Sequence, residues 1–249
     1  MTTTSLSSYW QRPAWTRRTH PIVSLYLRKP LSQMRFNYFI VICAVLLFLL
    51  FGSFSLPMLY FLFSLIVLIQ IALATGDKIH FGREGYTWDL VRATPFSQRE
   101  VYLSLWVASV WQIHQTWMMF FYRLFQGVVV VGVMVFALLL AEIPIMQWML
   151  VLVFGTLVIA VQPFADMYYS GMVGLLSASL THDRAAGQGL AIGGVLAYWL
   201  LWFLLSALVV LLNLERPTLE QVLLILSIPV LLPLTLGFCF FRATQRLGV

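Results

Sequence analysis

Apolar and polar positions alternate along this chain in long blocks. A basic, mixed segment over residues 1–36 precedes an apolar run over 38–54 and a second over 57–74, with only Gly52, Ser53 and Ser55 offering a turn between them. Each run is close to the ~20 residues a helix needs to cross a bilayer, so the pair predicts a tight helical hairpin. A polar stretch over 76–100 returns the chain to the side of the N-terminus. The next block is amphipathic and aromatic over 101–121, with Trp106, Trp111 and Trp117, and cleanly apolar over 127–141. It predicts a third span entering the bilayer at a slant.

A fourth span starts after Pro144 and is apolar to Val161, where Gln162, Pro163 and Asp166 break the pattern before 171–180 resumes it. Proline removes one backbone hydrogen bond and bends a helix, so a continuous helix kinked at Pro163 is expected. A short polar turn over 181–186 leads to a fifth span over 187–212 and a sixth over 219–241, which carries Pro229 and Pro233. The pattern therefore predicts an all-α integral membrane protein of six transmembrane helices. Residues 1–36 form its cytoplasmic lead and 37–249 one membrane domain.

Composition agrees. With 61% hydrophobic residues, 10% charged residues and a mean hydropathy of +0.90, the 249-residue chain lacks the polar surface to cover a soluble globule. Disordered, collagenous and disulfide-scaffold classes fail on the same numbers. Cys43 and Cys239 lie far apart inside apolar runs and read as small buried hydrophobes. Six spans with short connections leave no room for a sizeable soluble domain, so chemistry that needs one belongs to another chain.

The net charge of +6 points in a soluble protein to nucleic acid. Here membrane topology explains it better. Both termini share a side when there are six spans, and that side collects every one of the 15 cations except Arg216. Cytoplasmic loops gather Lys and Arg, which places both termini in the cytoplasm of a multi-pass plasma-membrane protein with no nucleic-acid partner. The lead is read as retained, because no short apolar core with a small-residue cleavage site is present. Within it Ile22, Val23, Leu25, Leu27, Leu31 and Met34, mixed with Arg28 and Lys29, predict a short amphipathic interfacial helix begun by Pro21 and interrupted at Pro30. A solvated basic tail is the equal alternative.

Enzyme motifs are missing. His20, His80, His114 and His182 share no i, i+3 or i, i+4 spacing with one another, so a two-histidine metal helix is unsupported. There is no G-x-S-x-G and no G-x-x-x-x-G-K-[ST], hence no nucleophile elbow and no loop to cradle ATP phosphates. No catalytic residue, metal or cofactor is expected, and any ATPase activity belongs to a partner chain. Gly189 and Gly193 form a small-x-x-x-small face suited to close helix approach. Asp166 falls inside a span, where an acid by default marks a pathway, a partner or a watery cavity. Against that, Tyr168 and Tyr169 beside it are the mark of a headgroup interface, and the interface reading is slightly favoured. Arg123 is placed to snorkel to the cytoplasmic headgroups.

The most informative stretch lies within 76–100, which holds eight charged residues. Thr94-Pro95 ends one helical segment, and Ser97 with Glu100 is a capping box that starts another. A short amphipathic helix along the cytoplasmic face, ahead of that break, suits docking into a groove on a soluble partner. Glu84, Thr87-Trp88-Asp89-Leu90-Val91, Thr94-Pro95-Phe96-Ser97 and Glu100-Val101 resemble the first cytoplasmic loop of the membrane subunit of type-two ABC exporters. Residues 174–186, Gly-Leu-Leu-Ser-Ala-Ser-Leu-Thr-His-Asp-Arg-Ala-Ala, resemble that family's turn from span four into span five.

The resemblance implies an assembly of two permease copies, identical or different, and two nucleotide-binding ATPase subunits. It assigns coupling to the ATPase to Glu84, Thr87, Trp88, Asp89, Thr94, Pro95 and Glu100, with Asp183 and Arg184 at the second turn. Residues 213–220 leave little room for the family's external re-entrant helices, and the lysine common after the Glu100-Val101 step is absent. The substrate is not legible. The alternative from another class is a non-transporting subunit that scaffolds a larger membrane complex.

Overall fold

The computed structural model describes residues 18, 20–27, 42, 46, 48–50, 52–84, 95–114, 117–140, 145–211 and 219–247. Every regular element among them is helical. In chain order they are α1 (Pro21–Leu27), α2 (Leu56–Glu84), α3 (Gln98–His114), α4 (Trp117–Leu140), α5 (Ile145–Leu180), α6 (Arg184–Leu211) and α7 (Leu219–Leu247). A 3-10 turn over Gly52–Ser55 feeds α2, with Gly52 at a φ of 56° and Ser55 Oγ donating to its carbonyl at 2.7 Å. That left-handed position is one that glycine occupies without steric cost.

Helices α2 and α5 form the centre, and both contribute to all three apolar clusters. One cluster joins Ile22, Val23 and Tyr26 of α1 to Val101, Tyr102 and Leu105 of α3, with Met172 and Leu175 of α5 and Ile79 of α2 beneath. A second runs along the Leu59, Phe63, Val67, Ile71 stripe of α2, whose four-residue spacing presents one face to Ile113, Met119 and Tyr122. The third seats Leu68 and Ala72 against Tyr169, Val173, Ala191 and Val195. Between α2 and α5 the backbones nearly touch. Ser170 Oγ donates to the Leu68 carbonyl, and a Cβ on Gly174 would run into the Ala72 carbonyl oxygen. Small residues are how helices approach closely where lipid removes the hydrophobic drive between them.

Four helical stretches are long and apolar enough to cross a membrane: Met58–Glu84, Met149–Leu180, Arg184–Leu205 and Leu223–Leu247. Their outer faces carry large apolar side chains, among them Leu200, Phe203, Leu224 and Phe238. Such a surface matches lipid, and intrahelical bonding satisfies the backbone there. The expected first span, most of 38–54, lies outside the described residues, as do Leu31, Met34 and the 213–218 connection.

Two expectations change in detail and one holds. The slanted third span is two helices, α3 and α4. Helix α3 is buried on nearly every side, because α1, α2 and α5 all pack on it. The fourth span does run unbroken through Pro163. Gly189 and Gly193, expected to pack against a neighbouring helix, have nothing within 4 Å of where a Cβ would stand. Close approach inside this chain is made by other glycines, among them Gly174 and Gly194, the latter meeting Val173.

Candidate functional site

The polar side chains gather in two places: the end of the bundle where α2 closes and α3 and α6 begin, and a buried cluster inside it. At the first place the capping box forms as the sequence predicts. Ser97 N and Oγ each donate to Glu100 Oε2 at 3.0 Å, and Glu100 N donates to Ser97 Oγ at 3.3 Å. Two orphan amides at the start of α3 are thereby satisfied. These bonds from the Ser97 amide and hydroxyl hold the Glu100 carboxyl below its ordinary range. His20 stands over the same cap, 4.8 Å from the Phe96 ring and 3.4 Å from Ser104 Oγ. Burial holds its imidazole below the usual range, against the opposing pull of Glu100.

About two turns before its end, α2 is fastened on two sides. Arg184 Nε and Nη2 donate to the two carboxylate oxygens of Asp77, each at 2.9 Å, and Gln188 Nε2 joins Asp77 Oδ1 at 2.9 Å. The Arg184 guanidinium also lies 4.5 Å from the centre of the Phe81 ring. Arg83 Nη1 donates to the carbonyls of Ala178 and Thr181, so the C-terminus of α5 is satisfied by α2. On the opposite face Lys78, 5% exposed, donates to Ala74 O, Ser109 Oγ and Gln112 Oε1. Gln112 Nε2 in turn donates to the Tyr26 carbonyl at 2.6 Å, which ties α1 into the junction.

The second cluster is centred on Asp166, 1% exposed in α5. Tyr198 OH from α6 donates to one carboxylate oxygen at 2.6 Å and Tyr122 OH from α4 to the other at 3.1 Å. Trp202 Nε1 donates to Tyr198 OH at 3.2 Å. One turn back along α5, Gln162 accepts from Gln126 Nε2 and donates to Tyr60 OH. The cluster joins four helices through pairs spaced four apart: Tyr122 and Gln126, Gln162 and Asp166, Tyr198 and Trp202. Each pair shares one helix face. Asp166 is enclosed by protein, and Tyr169 beside it turns inward to bond the Gly194 carbonyl.

The predicted coupling residues divide accordingly. Thr87, Trp88, Asp89 and Thr94 lie outside the described residues. Glu84 is exposed at the last position of α2, and Pro95 is exposed just ahead of the cap. Asp183 caps α6, its Oδ2 accepting from Ala186 N at 3.0 Å, while Arg184 is committed to Asp77. Pattern reading passes over Asp77, Lys78, Tyr122 and Tyr198. Their one sequence signal is a polar atom recurring at helical spacing inside an apolar run. Arg123 is exposed, 5.9 Å from the centre of the Phe164 ring. Among the described residues no three His, Cys, Asp or Glu side chains come together to hold a metal ion.

No protein-family model, curated protein or solved structure matches this chain.

Proposed function

We propose that this chain is the permease subunit of an ATP-driven ABC exporter of the plasma membrane, with six spans and both termini in the cytoplasm. It works as one of two permease copies beside separate ATPase subunits. The observation that supports this reading is the junction at the end of α2. The connection over 85–97 leaves α2 where Asp77 and Arg83 grip the α5–α6 turn and Lys78 grips α1 and α3. A push on that connection from a partner therefore reaches four helices at once, which is what a coupling element needs. The residues of the resemblance, Glu84, Pro95, Glu100, Asp183 and Arg184, sit at the helix ends of this junction.

Co-purification with a nucleotide-binding subunit tests the proposal. The expected result is ATPase activity of the complex that falls when Glu84 or Asp89 is replaced by Lys. A complex that assembles and hydrolyses ATP equally well with either substitution removes the coupling role. The second reading, a non-transporting assembly subunit, draws on the closed packing around Asp166. Isolation of the chain in stoichiometric complex with other membrane proteins and no ATPase favours it.

A further inference from the structure

Asp166 is a buried acid with no ion-pair partner among the described residues. Tyr122 and Tyr198 donate to its carboxylate and Trp202 donates onward to Tyr198, so the donors converge on the acid. Among the described residues the one ion pair is Arg184–Asp77, at the far junction. Arg123 follows Tyr122 directly yet turns out over Phe164. A carboxylate enclosed in a membrane helix bundle without a cation is costly, and such residues belong to pathways and ligand sites.

The walls narrow the class of cation. Tyr60 and Tyr122 lie almost parallel, 10° apart in plane with centroids at 6.3 Å, and Trp199 stands edge-on to Tyr60 at 6.2 Å and to Tyr198 at 6.1 Å. Aromatic faces attract cations, most strongly where water is excluded, and they favour organic cations over hydrated inorganic ions. Beyond the two glutamines of the cluster, Gln126 and Gln162, the adjoining side chains are apolar, among them Leu59, Phe63, Met119 and Met167.

We propose that Asp166, with the rings of Tyr60, Tyr122 and Tyr198, is a recognition site for an organic cation with an apolar body. The site is shut in the present packing. Its two donors come from different helices, so parting α4 from α6 strips a tyrosine from Asp166 and opens the acid to a ligand. The opening motion rests on the transport reading above, but the site's chemistry is separable from it, since ATPase coupling is assayed through Glu84, at the end of α2 away from Asp166, and through Asp89 of the predicted coupling loop.

Equilibrium dialysis of the full-length protein in neutral detergent, with tetraphenylphosphonium as probe, tests the proposal. Wild type is expected to bind it saturably, and at least tenfold more tightly than the similarly shaped tetraphenylborate anion. That comparison needs no variant. Asp166→Asn keeps the shape and hydrogen-bonding capacity and is expected to lose at least tenfold in affinity, while Tyr60→Leu loses less. Absence of saturable binding overturns the proposal, as does equal affinity of wild type and Asp166→Asn, or equal binding of the two ions. A chain that couples to its ATPase and fails this test refutes the cation site alone.

Discussion

Arg184 and Asp77 stand 107 residues apart in sequence and meet through two parallel hydrogen bonds of 2.9 Å. The fork of a guanidinium matches a carboxylate in this way, which gives the contact a fixed geometry as well as charge. Water reaches the pair, with side-chain exposures of 41% for Arg184 and 22% for Asp77, so its worth is modest, about 1 kcal/mol. Arg184→Ala and Asp77→Ala are each expected to lower the melting temperature in detergent by about 2–4 °C. The exchanged pair, Asp77→Arg with Arg184→Asp, recovers part of that loss. Failure of the double variant to recover any stability shows that the pair does not fasten α2 to α6.

Gly174 and Gly189 separate packing from propensity. A methyl group on Gly174 meets the Ala72 carbonyl, a backbone atom of the facing helix that yields only if α2 and α5 move apart. Overpacking of this kind costs about 1–3 kcal/mol. Gly189 faces open space. There an alanine adds helix propensity, up to about 1 kcal/mol. Thermal unfolding is expected to show Gly174→Ala clearly destabilised and Gly189→Ala unchanged or stabilised. The reverse order contradicts the α2–α5 contact.

These two glycines also show what sequence reading delivers. Apolar blocks of about 20 residues announce the helices, since length and hydropathy are local properties. The capping box at Ser97 and Glu100 is legible for the same reason: both partners lie within one turn. Which glycine meets which neighbour depends on rotation of a helix about its axis, and that is settled by partners 60 to 100 residues away, as with Trp106 Nε1 donating to the Met167 carbonyl. The third span escapes because α3 is buried by α1, so its apolar character reports protein contact where a lone helix with that pattern reads as slanted in lipid. Asp166 stands out in sequence as an acid in a span. Its tyrosine partners, on α4 and α6, do not.

Acidification is expected to loosen the start of α3 in two stages. The His20 imidazole is held below its ordinary 6.5 by burial, so the unfolded chain takes up a proton first and stability falls as the pH drops below about 6.5. The Glu100 carboxyl is held below its ordinary 4.5 by Ser97, so the stability it contributes is present above that value and is lost as the pH falls through its lower, folded value. Amide exchange of Ser97–Val101 followed from pH 7 to pH 3 reads both stages. His20→Gln removes the upper stage and Glu100→Gln the lower. A profile unchanged by both substitutions shows that the cap carries no such linkage.

Lys78 is the cation that holds α1 to the bundle, and its partners are all neutral. Its ammonium group gives one hydrogen each to Ala74 O at 3.1 Å, Ser109 Oγ at 2.7 Å and Gln112 Oε1 at 2.9 Å. Gln112 is oriented by this bond, so that its Nε2 reaches the Tyr26 carbonyl. Lys78→Ala deprives the buried Ser109 Oγ, and Gln112 Oε1, of this donor and leaves a gap, and Lys78→Met fills the gap without restoring the donor. A buried polar group that loses its partner costs about 1–3 kcal/mol, and a cavity adds to it. Lys78→Ala is therefore expected to destabilise more than Lys78→Met. Because the loss is channelled through Gln112 to Tyr26, trypsin is expected to cut the chain between Arg18 and Lys29 faster in either variant, and in Gln112→Leu, than in wild type. A cleavage rate unchanged in all three places the anchorage of α1 in its apolar contacts, Ile22 and Val23 against α3, and not in Lys78.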